Sequence, residues 1–389
     1  MAKKVYTRSF REQFVGTWLW HRHKTTLSAH CERFGVTRET AYDWIAKYEA
    51  RGYAGLETKS CAPLTVPHKT DDETVKLLIS AREHHPTWGP KKLKAWLEQA
   101  YPWDLNLPAA STIGSILKRA GLVTTRKRRT RIVRYAEPFV DAVAPNDVWT
   151  TDFKGHFRTR DKKQCYPLTL VDDFSRFILR CDAYLSPDEK ARESFASAFA
   201  EYGLPAVIRS DNGSPFATSA TPGGLSKLSV WWIRLGIRPE RITPASPWEN
   251  GRHERMHRTL KAEATTPPQA RRRQQQRTFD SFVREFNEER PHEALGMRAP
   301  ASLFSRSKRR FPRKLPELEY QPGHELRRVA DNGTINWDGS RLFLSNVLRN
   351  QIVGAKQKDE SSWELYFGPV LLGSLHRGKA GVGFRRAKS

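Results

Sequence analysis

The sequence predicts a multidomain chain with an all-α front of tandem helix-turn-helix units, a central α/β domain and a small β-rich tail. Three observations carry this. Apolar residues recur at helical spacing up to about residue 124, and near Pro145 they switch to alternating strand-like runs. Roughly the last 70 residues are short β runs broken by Asn-Gly, Asp-Gly and Gly-Pro turns. A chain of 389 residues has room for about two to four domains.

The front begins with three helical segments in residues 6–60. In 26-TLSAHCERFGVTRETAYDWIAKYEARG-52, Gly35 turns the chain and Thr37 is a good N-cap. Ala41, Trp44, Ile45 and Tyr48 then repeat on one helical face. That pattern is a helix-turn-helix with a recognition helix over 38–51, although a plain three-helix bundle fits the same spacing. A second helical unit runs through 71–85, 88–99 and 111–123, with Ser111 expected to cap its last helix and Gly121 to end it. The expected domains are 1–60 and 70–124 (helix-turn-helix), a basic linker 125–144, the α/β core 145–305, a second basic linker 306–319, and a β-rich domain 320–389.

The core reads as strands over 147–153, 165–173 and 176–185, a helix over 188–203 and a strand over 206–211. The tail suggests a small β-barrel of SH3-like size, or a sandwich.

Lysine and arginine number 67 against 42 acids, a net charge of +25, with a pI near 10.1. Such an excess is the footprint of a polyanionic partner, most often nucleic acid, or else a merely solvated basic surface. The cations cluster in 126-RKRRTRIVR-134, 271-RRRQQQR-277 and 306-RSKRRFPRK-314, which read as linkers contacting a nucleic-acid backbone. Four scattered cysteines (Cys31, Cys61, Cys165, Cys181) lack metal-ligand spacing and read as reduced thiols. With no signal-peptide core and no apolar run of about 18 residues, the expected location is the cytoplasm, with no membrane partner.

Three acids stand out. Asp152 ends the first core strand, Asp211 follows the strand 206-AVIRSD-211, and Glu254 lies on a helix opening near Asn250. Each alone has an ordinary reading, as a strand-edge acid, a turn residue or an i,i+4 partner of Arg258. Together they suit phosphodiester chemistry, in which two Mg²⁺ ions about 3.5–4 Å apart are held by carboxylates. Two carboxylates about 4 Å apart repel by roughly 4 kcal/mol at an effective dielectric of about 20, so such a cluster needs cations.

The ordered set W-x-x-D (Trp149, Asp152), 209-RSDNGSPF-216, 244-PASPWENGRHERMHRTLKAE-263 and 286-FNEERPHEALGMRAPASLF-304 resembles the integrase core of bacterial insertion-sequence transposases. These belong to the DDE superfamily that includes retroviral integrases. The resemblance spans roughly residues 140–305, and the helical front and β-rich tail resemble these enzymes more loosely. It implies a ribonuclease H-like core in which Asp152, Asp211 and Glu254 are the catalytic, metal-binding triad. The metal would be Mg²⁺, two ions per site, with Mn²⁺ as substitute, and no nucleotide cofactor is implied. Arg258 and Lys261 resemble the basic positions that hold terminal DNA, whereas Glu249 and Glu263 match flanking positions. His257 reads as a DNA contact or a surface residue, Asp172 and Asp173 as turn acids, and His292 as a packing residue.

Further expected DNA contacts are Arg38, Thr40 and Lys47 on the recognition helix, Lys91 and Lys92 in the second unit, and Arg126, Lys127, Arg128, Arg129 and Arg131 in the linker. The implied function is a transposase that binds terminal inverted repeats and joins 3′-OH ends to target DNA, as a dimer or higher homo-oligomer on double-stranded DNA, associated with the bacterial nucleoid. The 42 residues between Asp211 and Glu254 exceed the retroviral spacing, and 217–229 is expected to form a loop beside the site. A non-catalytic DNA-binding protein and a structure-specific nuclease are the rival readings.

Overall fold

Thr7, Thr26 and Thr37 stand in extended backbone and each accepts the N–H three residues on, from Phe10, Ala29 and Thr40. Such caps are worth about 1 kcal/mol each. They open α1 (Arg8–His21), α2 (Leu27–Phe34) and α3 (Arg38–Arg51). Gly35 ends α2 at φ 62, a left-handed turn that favours glycine. Phe14, Val15, Cys31, Ala41 and Trp44 form the core of this three-helix unit. The structure, a computed structural model, describes residues 6–57, 69–102, 106–123, 141–153, 155–187, 190–242, 251–378 and 381–387. The chain divides into two compact units at Lys69.

The second unit opens with α4 (Asp72–His84), α5 (Pro90–Ala100) and α6 (Ala110–Arg119), packed around Leu78, Trp88, Leu93, Leu97 and Ile113. Ser111 does not cap α6: Ala109 holds the extended cap position, which leaves Ser111 inside the first turn. This bundle sits on the core through polar contacts. Lys91 pairs with Glu293 at 2.8 Å and His85 with Glu285 at 2.9 Å. Arg290 pairs with Glu263 at 2.6 Å and lies over the Trp88 ring.

Six strands form the central mixed sheet: β1 (Val148–Phe153), β2 (Phe157–Arg158), β3 (Gln164–Asp172), β4 (Ile178–Tyr184), β5 (Val207–Ser210) and β6 (Arg238–Arg241). The path runs β2-β3-β1-β5-β6, with β4 also on β3. β1, β5 and β6 are parallel, and β3 runs against β1 and β4. Alternate side chains of the sheet feed opposite cores, as a pleated strand requires. Trp149, Leu168, Leu170 and Ile208 pack under α7 (Ala191–Tyr202) and α8 (Lys227–Arg234) with Phe195, Phe199 and Trp232. Val171, Ile178 and Cys181 pack on the other face with Met256 and Leu260 of α9 (Gly251–Ala264) and Phe279 and Phe282 of α10 (Arg272–Arg284).

The run 271–277 is therefore the start of α10, not a linker. Its amides serve the outer edge of β4, whose backbone groups on that side have no neighbouring strand among the described residues. Gln276 accepts from Ala183 N–H at 2.8 Å and donates to Cys181 O at 2.9 Å. Asn287 likewise accepts from Ile178 N–H and donates to Ile178 O. The run 306–314 is also structural: Arg309 donates to the carbonyls of Pro205, Leu235 and Gly236, and Phe311 packs on Phe199 and Trp231. This strap lies so close over Gly203 (φ 83) that a Cβ there would meet Ser307 O and Arg309 O at 2.8 Å.

The tail forms a five-stranded antiparallel sheet from β7 (His324–Arg328), β10 (Ile352–Asp359), β11 (Ser362–Phe367), β12 (Val370–Gly378) and β13 (Gly381–Arg386). A separate hairpin holds β8 (Thr334–Trp337) and β9 (Ser340–Phe343). The expected closed barrel is not formed, because among the described residues no ladder joins β13 to β7 or joins the hairpin to the larger sheet. Its apolar face covers Leu225, Val230 and Ile233. Of the stretch 217–229, residues up to Ser226 form a loop whose 3₁₀ turn at Pro222–Gly224 lies against Val370 and Leu372, and Ser226 then opens α8 with a capping box.

Replacing Gln276 or Asn287 by alanine strands paired groups on β4, and each change is expected to lower unfolding free energy by about 1–3 kcal/mol in urea titrations. Arg273→Ala on the exposed side of α10 is the control, with a change within about 0.5 kcal/mol.

Candidate active site

The pairing of β1 with β5 runs Val148↔Val207, Trp149↔Ile208 and Thr150↔Arg209. Extrapolated by two residues beyond its last pair, this register leads to Asp152 near the end of β1 and Asp211 just past the end of β5, at the carboxyl ends of adjacent parallel strands. Such strand ends are where open α/β sheets place ligands. Asp211 Oδ1 accepts from Gly213 N–H at 3.1 Å, and burial raises the carboxyl above its ordinary pKa.

A buried polar network holds α9 over these strands. His253 bridges two strands, with Nδ1 2.9 Å from Thr150 Oγ1 and Nε2 2.7 Å from Thr169 Oγ1. His257 Nε2 meets the same Thr169 oxygen at 2.7 Å, and its Nδ1 lies 3.6 Å from Asp152 Oδ2. Thr169 also reaches Asp152 O at 3.1 Å. Burial pushes His253 down to about 3, so its imidazole is neutral near pH 7. His257 is thus a buried neighbour of Asp152 and not the surface residue its polar surroundings in sequence suggest. One signal was available: 253 and 257 are four apart and share a helix face with Met256 and Leu260.

Glu254 begins the exposed stripe of α9 that continues through Arg258 and Lys261. It stands one turn before His257, but among the described residues no three His, Cys, Asp or Glu side chains are grouped closely enough to hold a metal ion. The expected triad of Asp152, Asp211 and Glu254 is thus not drawn together as a ready-made metal cluster among the described residues. Glu249 and the basic positions Arg126, Lys127, Arg128, Arg129 and Arg131 lie outside the described residues. Glu263 is taken up by Arg290 and Thr87.

The other expected contacts divide. Arg38 and Lys47 are exposed on α3, Lys47 beside Asp43 at 2.6 Å, and Thr40 pairs with the capping Thr37. Tyr42 is 54% exposed on the same helix. Lys91 faces Glu293, and Lys92 is half-buried and pushed down to about 8 by burial and by Arg290. Asp172 is held in a turn by Asn146 N–H, Ser175 N–H and Ser175 Oγ. His292 packs on Phe286.

Profiles of the integrase core domain match residues 142–247 and 235–300. A helix-turn-helix profile matches 10–63 and a homeodomain-like profile 40–117. The chain is 26% identical over 201 residues to the insertion element IS407 uncharacterized 31.7 kDa protein of Burkholderia multivorans, covering 49% of this chain and 67% of that one. It is 27% identical over 241 residues to the Gag-Pol polyprotein of baboon endogenous virus, covering 59% of this chain and only 13% of the polyprotein. The HTLV-2 integrase catalytic core domain in complex with magnesium aligns over 42% of this chain and 99% of that one, at 16% identity and a TM-score of 0.33. The matched core, with its two helix-turn-helix profiles, defines an integrase-core protein. Within that class the chain is similar to a protein encoded by a bacterial insertion element and to the Gag-Pol polyprotein of an endogenous virus.

His253 and His292 are both pushed by burial to about 3, from 6.5. Between those values the unfolded chain binds more protons, so stability is full above about pH 6.5 and falls on acidification, by up to roughly 1.4 kcal/mol per pH unit for each histidine. His292→Phe, which keeps the packing on Phe286, is expected to flatten this slope in denaturation curves taken from pH 7 to 4.

Proposed function

We propose that this protein is a DNA transposase that binds the terminal inverted repeats of an insertion sequence, cuts strands there and joins the 3′-OH ends to target DNA. The register that leads to Asp152 and Asp211 at adjacent strand ends supports this reading most. Asp152, Asp211 and Glu254 are the proposed ligands of divalent cations, Mg²⁺ or Mn²⁺, which take carboxylate oxygens. Bound there, two ions supply water activation and stabilisation of the leaving oxygen. The donor set suits them: two aspartates follow the adjacent parallel strands β1 and β5, whose register leads toward both, and Glu254 lies on the helix that His253 and His257 pin to β1 and β3.

The chain's own groups do the positioning. His257 and Thr169 hold Asp152 from its side chain and its carbonyl, and Gly213 N–H orients Asp211. Arg258 and Lys261, on the exposed stripe with Glu254, neutralise phosphates of the terminal DNA. Arg38, Thr40 and Lys47 present the recognition helix to the major groove of the repeats. Joining two ends calls for a homo-oligomer.

With labelled duplexes carrying the flanking repeats and Mg²⁺, the wild type is expected to give joined products. Glu254→Gln is expected to lose them by roughly 100-fold or more while mobility-shift binding persists. Cleavage without joining identifies a nuclease, and tight repeat binding with no cleavage by either protein overturns the enzyme reading. In the same binding assay, Arg258→Ala with Lys261→Ala should reduce the slope of log affinity against log salt by about 2.

A further inference from the structure

Beside the first turn of α9 opens a cavity of about 470 Å³, within the range of about 300–1,000 Å³ typical of small-molecule sites. Its walls include Asp173, Phe174 and Arg176 from the turn after β3, Arg252 from α9, and Leu295 and Arg298. It is separate from the aspartate pair. On β3, Asp172 pairs with Trp149 while Thr169 pairs with Asp152, so the cavity begins about 10 Å further along the strand, at its other end.

The charges of this wall do not balance. The carboxylate of Asp173, 5% exposed, receives Arg176 at 3.1 Å and Arg252 at 2.6 Å. Arg298 is exposed and donates to Leu295 O at 3.3 Å. Among the described lining residues there are three arginines and one carboxylate, with the buried Asp172 behind Arg176. The side chain of Arg252 is 54% exposed and has five N–H donors, so it retains donors for an anion. Phe174 and Leu295 add a half-buried apolar surface. Both rims are held in left-handed backbone, Arg176 at φ 66 and Met297 at φ 63, conformations that non-glycine residues keep where the surroundings enforce them. A bare anion has no use for the apolar wall, and an apolar ligand has none for the arginines. A phosphate joined to a flat base uses both, the phosphate on guanidinium groups and the base on Phe174.

We propose that this cavity binds a nucleotide, its phosphate on Arg252 and Arg298 and its base against Phe174 and Leu295. The ligand is either a free mononucleotide or an unpaired nucleotide of a DNA strand, and only the second source rests on the transposase reading. Arg176 and Arg252 are unsuitable for a first test, because each is one of the two partners that hold the buried Asp173. Arg298→Glu lies on the surface, and Phe174→Leu keeps an apolar filler.

Calorimetric titration of the full chain with thymidine 5′-monophosphate, inorganic phosphate and thymidine tests the site directly. The nucleotide should bind more tightly than phosphate, and Arg298→Glu should weaken it about tenfold or more with an unchanged melting curve. Phe174→Leu should bring the nucleotide down toward phosphate. Equal binding of nucleotide and phosphate, or nucleotide affinity unchanged in Arg298→Glu, overturns the proposal. Anisotropy with a blunt duplex and one carrying about five unpaired thymidines separates the sources. A tail-dependent gain lost in Arg298→Glu assigns a DNA strand, whereas mononucleotide binding without such a gain assigns a free nucleotide. Neither readout requires strand joining, so this proposal and the transposase reading can fail independently.

Discussion

One threonine hydroxyl ties the site together. Thr169 Oγ1 has a single proton and lies within hydrogen-bond distance of Asp152 O, His253 Nε2 and His257 Nε2. When that proton goes to the Asp152 carbonyl, both imidazoles must donate through Nε2. His253 Nδ1 is then an acceptor for Thr150, and His257 Nδ1 is turned toward the Asp152 carboxylate. The tautomers, the angular setting of α9 and the placing of β1 follow from one set of contacts. Because they are buried, each lost partner leaves a polar atom without water to replace it.

The same economy governs the sheet edge. β4 ends the sheet, and an unpaired strand is open to pairing with another chain. Gln276 and Asn287 meet it with amides, each of which offers a donor and an acceptor in the geometry of a peptide group. Arg272 adds a bond to Ala183 O. α10, which carries Gln276 and leads into the turn with Asn287, buries Phe279 and Phe282 against the same strand region, so apolar packing and edge capping fix one register.

Much of this was legible in the sequence. α3 spans the residues that the cap at Thr37 and the apolar repeat mark out, and β1, β3, β4, α7 and β5 fall within a few residues of their sequence patterns. The resemblance implied that Asp152 and Asp211 share a site, and the register of β1 on β5 runs toward both. What escaped depends on tertiary partners. Composition made 271–277 and 306–314 look like solvated cationic stretches, since nothing local marks Gln276 or Arg309 as destined for backbone groups far along the chain. His257 sits among cations and glutamates, yet helical periodicity puts it beside Met256 on the buried face. The outward direction of Glu254 depends on how α9 is rotated, which spacing alone leaves open. Turn signals in the tail located its strands, but whether a sheet closes depends on twist and pairing between distant strands.

α8 illustrates what such shared packing entails. Trp231 and Trp232 belong to the core beneath the central sheet, while Val230 and Ile233 of the same helix belong to the core of the C-terminal sheet. A helix apolar on nearly all sides is stable only when covered on all of them. The central sheet and the β-rich tail are therefore two walls of one room, and neither is a module that can be exchanged without refitting the other. Recombination that swapped tails between relatives would have to carry matching changes in eight residues, Lys227–Arg234, lying far from the join.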